Sequence, residues 1–143
     1  MENSPPGVAG KSSTGLDDNI AALLTYIFGW VSGLIFFLIE KDSKLVRFHA
    51  MQSILFGIVW SVLMVVLVFI GMIFTFIGAA ATAAAGDAAG TLFGLIISLV
   101  WLLVWLVPLA LFVGLILTAV KAYQGQMFKL PIIGNMAEKI VNK

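Results

Sequence analysis

Residues 48–120, FHAMQSILFGIVWSVLMVVLVFIGMIFTFIGAAATAAAGDAAGTLFGLIISLVWLLVWLVPLALFVGLILTAV, carry one formal charge, Asp87, and the chain's single histidine, His49. An ionised side chain near the hydrocarbon centre costs about 2.5–3.5 kcal/mol or more, so a run this free of charge is suited to a bilayer. The whole chain agrees: 62% of its residues are hydrophobic and 10% charged, where a soluble domain carries about 25% charged residues. The class implied is an all-α, polytopic membrane protein.

A helix crosses the ~30 Å hydrocarbon layer with about 20 apolar residues. Three stretches meet that length. The first is about 20–39, behind the cap-forming Asp17, Asp18 and Asn19. The second is about 48–77, some 45 Å as a helix, too long for the layer, so its polar start from Arg47 to Ser53 is expected to stand at the interface. The third is about 92–120, with Pro108 inside it, which removes a bond to the Val104 carbonyl and predicts a kink. Between the second and third lies GAAATAAAGDAAGT, residues 78–91, read as the turn of a helical hairpin with Asp87 as a loop cap. Residues 1–15, rich in Pro, Gly and Ser, read as a disordered tail, leaving 16–143 as one membrane domain. The tail 121–143 mixes lysines with Ile132, Ile133, Met136 and Ile140, and 134–142 fits a short amphipathic surface helix.

Three spans place the N-terminal tail and loop 78–91 on one side, with Lys11 alone as a base. Loop 40–49 and the C-terminal tail share the other, with Lys41, Lys44, Arg47, Lys121, Lys129, Lys139 and Lys143. The positive-inside rule then puts loop 40–49 and the C-terminus in the cytoplasm and the N-terminus outside, in the inner or plasma membrane. No basic n-region with a cleavage site starts the chain, and the lipidation motifs are absent.

Chemistry is sparse. There is no cysteine, and His49 has no partner spacing for a metal. No GxSxG, HExxH or GxxxxGK motif and no carboxylate pair occurs, so neither an enzyme nor a cofactor is expected. The densest polar cluster runs from Glu40 to Ser53. Glu40, Lys44, Arg47, His49 and Gln52 are its candidate interfacial or partner surface, with two readings open: a headgroup, peptide or proton-sensing site, or a plain lipid anchor. Gly29 and Gly33 make a GxxxG pair, and Gly86, Gly90 and Gly94 a four-residue ladder, candidates for close helix packing within the chain or between copies. Trp101 and Trp105 fall near the outer interface, whereas Trp30 falls mid-span, where it should pack on another helix.

Two stretches carry a family resemblance. Leu16-Asp17-Asp18-Asn19-Ile20 through Gly29-Trp30 to Gly33 continues to Glu40-Lys41 and Arg47-Phe48-His49-Ala50-Met51-Gln52-Ser53. Lys121-Ala122-Tyr123-Gln124-Gly125-Gln126 is followed by Lys129-Leu130-Pro131. Over about 16–77 and 92–140 the chain resembles small prokaryotic multi-pass membrane proteins of unknown function. These are distantly similar to the twenty-kilodalton component of the chloroplast inner-envelope protein translocon, which has four spans. The expected role is a small interaction or assembly subunit, its partners the lipid bilayer, further copies or other membrane proteins, and not nucleic acid. The alternative is an oligomeric channel or translocation component. That would need Gln52, Ser53, Ser61 and Thr75 to face one axis, and on a helical wheel Gln52 stands apart from the other three.

Overall fold

The computed structural model describes residues 10–142, the side chains of residues 85, 87 and 89 excepted. It is all-helical: α1 (Asp18–Leu24), α2 (Trp30–Ile39), α3 (Lys44–Ala85), α4 (Asp87–Tyr123) and α5 (Ile133–Val141). Two helices, α3 and α4, are long and apolar enough to cross a membrane. The chain divides into two compact units, 1–59 with 113–143 and 60–112.

The first expected span is not one helix. It breaks after Leu24, runs through turns at 25–29, and resumes as α2. Gly29 adopts φ 58°, open to glycine at little cost, and this ends any continuous helix. With 10 residues, α2 is about 15 Å long, half the hydrocarbon thickness. Three carbonyls at the break accept from side-chain hydroxyls. Thr25 Oγ1 donates to Ala22 O at 2.7 Å, Ser32 Oγ to Thr25 O at 2.9 Å, and Ser53 Oγ to Gly29 O at 2.9 Å.

In the unit formed by the chain ends, α1 and α2 lie on the first turns of α3 and the last turns of α4. Ala21, Ala22, Tyr26, Val46 and Ala122 form its core, with Phe36, Leu115 and Ala119 beside it. Small residues set the close approaches. A Cβ on Gly33 would sit 2.8 Å from the Ala50 carbonyl, and one on Gly57 2.5 Å from Trp30 Cβ. Trp30 thus packs on another helix, as its mid-span position implied. Replacing Gly33 by Leu should therefore push α2 off α3, at a cost of about 2–3 kcal/mol, read as a lowered unfolding temperature in detergent. Leu at Gly94, where a Cβ meets nothing within 4 Å, should cost nothing or stabilise.

The N-terminal segment also departs from expectation. Residues 10–15 are ordered: Ser12 N donates to Leu16 O at 2.9 Å, Gly15 N to Ser12 O at 2.8 Å and Asp18 N to Gly10 O at 2.9 Å. The expectation for residues 1–9 lies outside the described residues. Ser13 is bonded to Glu40 and Asp42. The N-terminal segment therefore lies beside loop 40–43, where the three-span reading had put the two on opposite sides of the membrane.

In the other unit, the two helices pair from Trp60 to Phe112. Gly71 faces the Trp101 ring, Trp101 Nε1 donates to Thr75 Oγ1 at 3.3 Å, and Gly78 faces Ile97. The Ala/Gly stretch 78–91 is helix rather than loop, with one break at Gly86, φ 80°. Alanine's helix propensity prevails over the scattered glycines, and Gly90 packs on Thr82. The Asp87 side chain, expected as a loop cap, lies outside the described ones. Helix α4 runs unbroken through Pro108, and both Pro108 and Val104, whose carbonyl the proline frees, are buried.

Candidate functional site

The polar residues that the sequence singles out converge where α3 begins, in two hydrogen-bonded clusters. The first surrounds Glu40, the C-cap of α2, which is 1% exposed. Its carboxylate accepts from Ser13 N at 3.0 Å to each oxygen, Ser13 Oγ at 2.8 Å, Asp42 N at 3.0 Å and Ser43 N at 2.9 Å. Ser13 Oγ also lies 2.7 Å from Asp42 Oδ2 and 3.0 Å from the Lys41 N–H. One carboxylate thus binds the N-terminal segment, closes the α2–α3 loop and reaches Ser43, the residue before α3. Burial pulls the Glu40 pKa upward, but donors from Ser43, Ser13 and Asp42 outweigh it and hold the group below its ordinary value. Neighbouring Asp18 is shifted the other way: burial raises it against a Ser43 hydrogen bond, and the charges of Glu40 and Asp17 add to the rise. Its Oδ1 is buried without a partner.

The second cluster joins the α1–α2 break to the C-terminal tail through α3. Tyr26 Oη lies 2.9 Å from His49 Nδ1, and His49 Nε2 lies 3.0 Å from Gln126 O. Gln52 Nε2 lies 3.2 Å from Phe128 O and, at a longer 3.4 Å, from Tyr26 Oη. His49 and Gln52 are both 0% exposed. The carbonyl of Gln126 only accepts, so Nε2 carries the imidazole proton and Nδ1 accepts from the Tyr26 hydroxyl. The neutral ring gives every hydrogen an acceptor; a protonated ring would leave the tyrosine hydrogen without one. Gln52 uses both amide hydrogens, on Phe128 O and Tyr26 Oη, and its Oε1 is buried without a partner. The His49 ring packs edge-on against Tyr26 and Phe48.

The structure thus brings Glu40, His49 and Gln52 inside, where the sequence suggested an exposed surface; the reason is the company of Ser13, Tyr26 and the tail carbonyls. Lys44 is exposed, and half-buried Arg47 places its guanidinium 5.3 Å from the Phe37 ring centre. The glycines serve different ends. Gly33 and Gly90 take close contacts, Gly29 and Gly86 make turns, and Gly94 faces open space. Sequence reasoning missed Tyr26 and Ser13. Tyr26 is a lone hydroxyl within an apolar run, one signal that could have been matched to His49. Among the described residues, no three His, Asp or Glu side chains are grouped to hold a metal ion.

Comparison with known proteins places this arrangement in a family. The model of the magnetosome magnetite crystal formation protein family matches residues 16–137, which include Glu40 and the whole of the second cluster but not Ser13. A UPF0132 membrane protein of Methanocaldococcus jannaschii is 42% identical over 91% of this chain and 94% of its own length. A second from that organism is 33% identical over 87% of this chain and 71% of its own. A UPF0132 membrane protein of Archaeoglobus fulgidus is 36% identical over 87% and 95%. No solved structure matches. The chain belongs to the magnetosome magnetite crystal formation protein family, and is similar to archaeal UPF0132 membrane proteins.

Proposed function

We propose that this is a multi-pass protein of the cell membrane, anchored by α3 and α4, that acts as an interaction or assembly subunit and not as an enzyme. The observation that carries this reading is the burial of Glu40, His49 and Gln52 in bonds that tie chain segments together. A general base must reach the proton it abstracts; these groups hold the N-terminal segment, the α1–α2 break and the tail. What they leave outside is a preformed surface bearing Lys41, Asp42 and Lys44. Such a surface suits docking to another membrane protein or a further copy.

This end of the spans faces the cytoplasm in the same reading. Lys41, Lys44, Arg47, Lys121, Lys129 and Lys139 flank the spans there, while residues 78–91 hold no lysine or arginine. The channel or translocation reading, implied by the likeness to the chloroplast component, has less support: Gln52 and Ser53 are buried and bonded within the chain, and Thr75 bonds to Gly71 O and Trp101. Extraction in mild detergent, with affinity capture and light scattering, tests the assembly role. A complex larger than one copy is expected, and capture of a lone monomer would overturn it.

A further inference from the structure

We propose that α1 and α2 form a re-entrant arm, which enters one leaflet, turns at 25–29 and returns to the side it came from, with its tip against lipid acyl chains. The mouth of the arm is closed by Ser13, before α1, bonded to Glu40 and Asp42, after α2. A segment whose two ends are hydrogen-bonded to each other cannot place them on opposite faces of a ~30 Å layer.

The depth of the arm follows from α3. Trp30, at the start of α2, packs on Gly57, about 20 Å along α3 from Lys44 and about 6 Å beyond Ser53, where the polar interfacial start of the span ends, at 1.5 Å per residue. The arm thus enters the hydrocarbon by about one helical turn and stops there, well short of the far side. Its tip is apolar and outward-facing, with Phe28 77%, Ile27 57% and Trp30 50% exposed. Leu34, Ile35 and Leu38 continue that surface along α2, and Ile58 and Val59 along α3. Irregular backbone at membrane depth survives only where it is buried in protein and its polar groups are satisfied there, and Thr25, Tyr26 and Ser32 are buried, so that the turn shows lipid mainly the side chains of Ile27 and Phe28. Here Thr25, Ser32 and Ser53 supply hydroxyls for the carbonyls of Ala22, Thr25 and Gly29, the N–H groups of Tyr26, Ile27 and Gly29 donate to Leu23 O, Leu24 O and Tyr26 O, and Phe28 N donates to Ser32 Oγ at 3.2 Å. The occupant that suits an apolar tip whose backbone N–H groups are paired, continuous with the outer surface of a spanning helix, is the acyl chains of that leaflet.

The arm carries Lys11 to the same side as the other bases, which removes the one exception in the three-span charge count. The arm requires neither the assembly role nor a cytoplasmic location for its mouth, because positions are compared only with each other. The chain has no cysteine, so single cysteines report cleanly. In oriented vesicles of the full chain, K11C and K41C should react with an impermeant maleimide from one side and A84C from the other. A fluorophore on F28C, or on I27C should that variant fold poorly, should lose most of its intensity to brominated acyl chains and little to aqueous iodide. Reaction of K11C from the A84C side would overturn the arm. So would quenching of the tip by iodide alone, or shielding from brominated lipid that disappears in nanodiscs holding one copy, since a second copy would then cover the tip.

Discussion

Replacing Glu40 with Gln should lower the stability of the protein in detergent by about 3 kcal/mol, roughly a 10 °C fall in unfolding temperature. The side chain is 1% exposed and accepts from three backbone N–H groups and one hydroxyl. Glutamine keeps one oxygen and turns an NH2 towards donors, so N–H groups of Ser13, Asp42 or Ser43 lose their acceptor and the charge that strengthens the remainder is gone. The effect should concentrate at the mouth of the arm. Amide exchange at Ser13 and Ser43 should accelerate together, while the Thr75–Trp101 region stays unchanged.

Acid should reproduce this loss in the native chain. The folded pKa of Glu40 lies below its ordinary 4.5, so its contribution is fully present above that value and disappears as pH falls through the folded one. Asp18 works in the opposite sense. Its folded pKa lies above 3.8, so protonation favours the fold, and the stability it gives is present below 3.8 and lost as pH rises through the raised value. On acidification the native chain should therefore gain slightly before it loses, and Glu40→Gln should keep the gain while removing the loss. Thermal melts across pH 3–7 measure both. An Asp18→Asn variant that left the upper part of the profile unchanged would count against this account.

Hydropathy reads solvent well and backbone path poorly, and the limits of the sequence reading follow from that. The runs inside α3 and α4 were legible because charge is excluded from Phe48 to Val120 except at Asp87. The break in the first run was not, because Thr25-Tyr26-Ile27-Phe28-Gly29 is as apolar as a span, and only the positive φ of Gly29 and the hydroxyls of Ser32 and Ser53 show the reversal. The same spacing rule that marked Gly29 and Gly33 as one packing pair concealed two separate roles, a turn and a contact with Ala50. At 78–91 glycine drew the eye to a loop, but alanine dominates the composition and the helix runs on to Ala85. The polar border from Glu40 to Gln52 was found, but polarity gives no direction. Whether His49 faces water or Tyr26 depends on a residue 23 positions away and on a tail 77 positions away.

That last dependence gives the second large expected effect. His49→Leu should cost about 2–4 kcal/mol, because it leaves the buried Tyr26 hydroxyl without an acceptor and frees the Gln126 carbonyl. Tyr26→Phe alone should also destabilise, by removing a donor to Nδ1 and the weaker acceptor for Gln52. In the double variant both partners of the Tyr26–His49 bond are apolar, so the combined loss should fall short of the sum by at least about 1 kcal/mol. Additive losses would mean the two groups act separately. The tail supplies a local readout. Gln126 and Phe128 are tied to α3 through their carbonyls, which meet His49 and Gln52, and Lys129 follows directly. Releasing either carbonyl should let trypsin cut after Lys129 several-fold faster, in His49→Leu and again in Gln52→Leu. Tyr26→Phe should leave that cut unchanged, since His49 still donates to Gln126. A single polar set on α3 then holds two segments by different bonds, and the two assays separate them: melting reports the arm, proteolysis the tail.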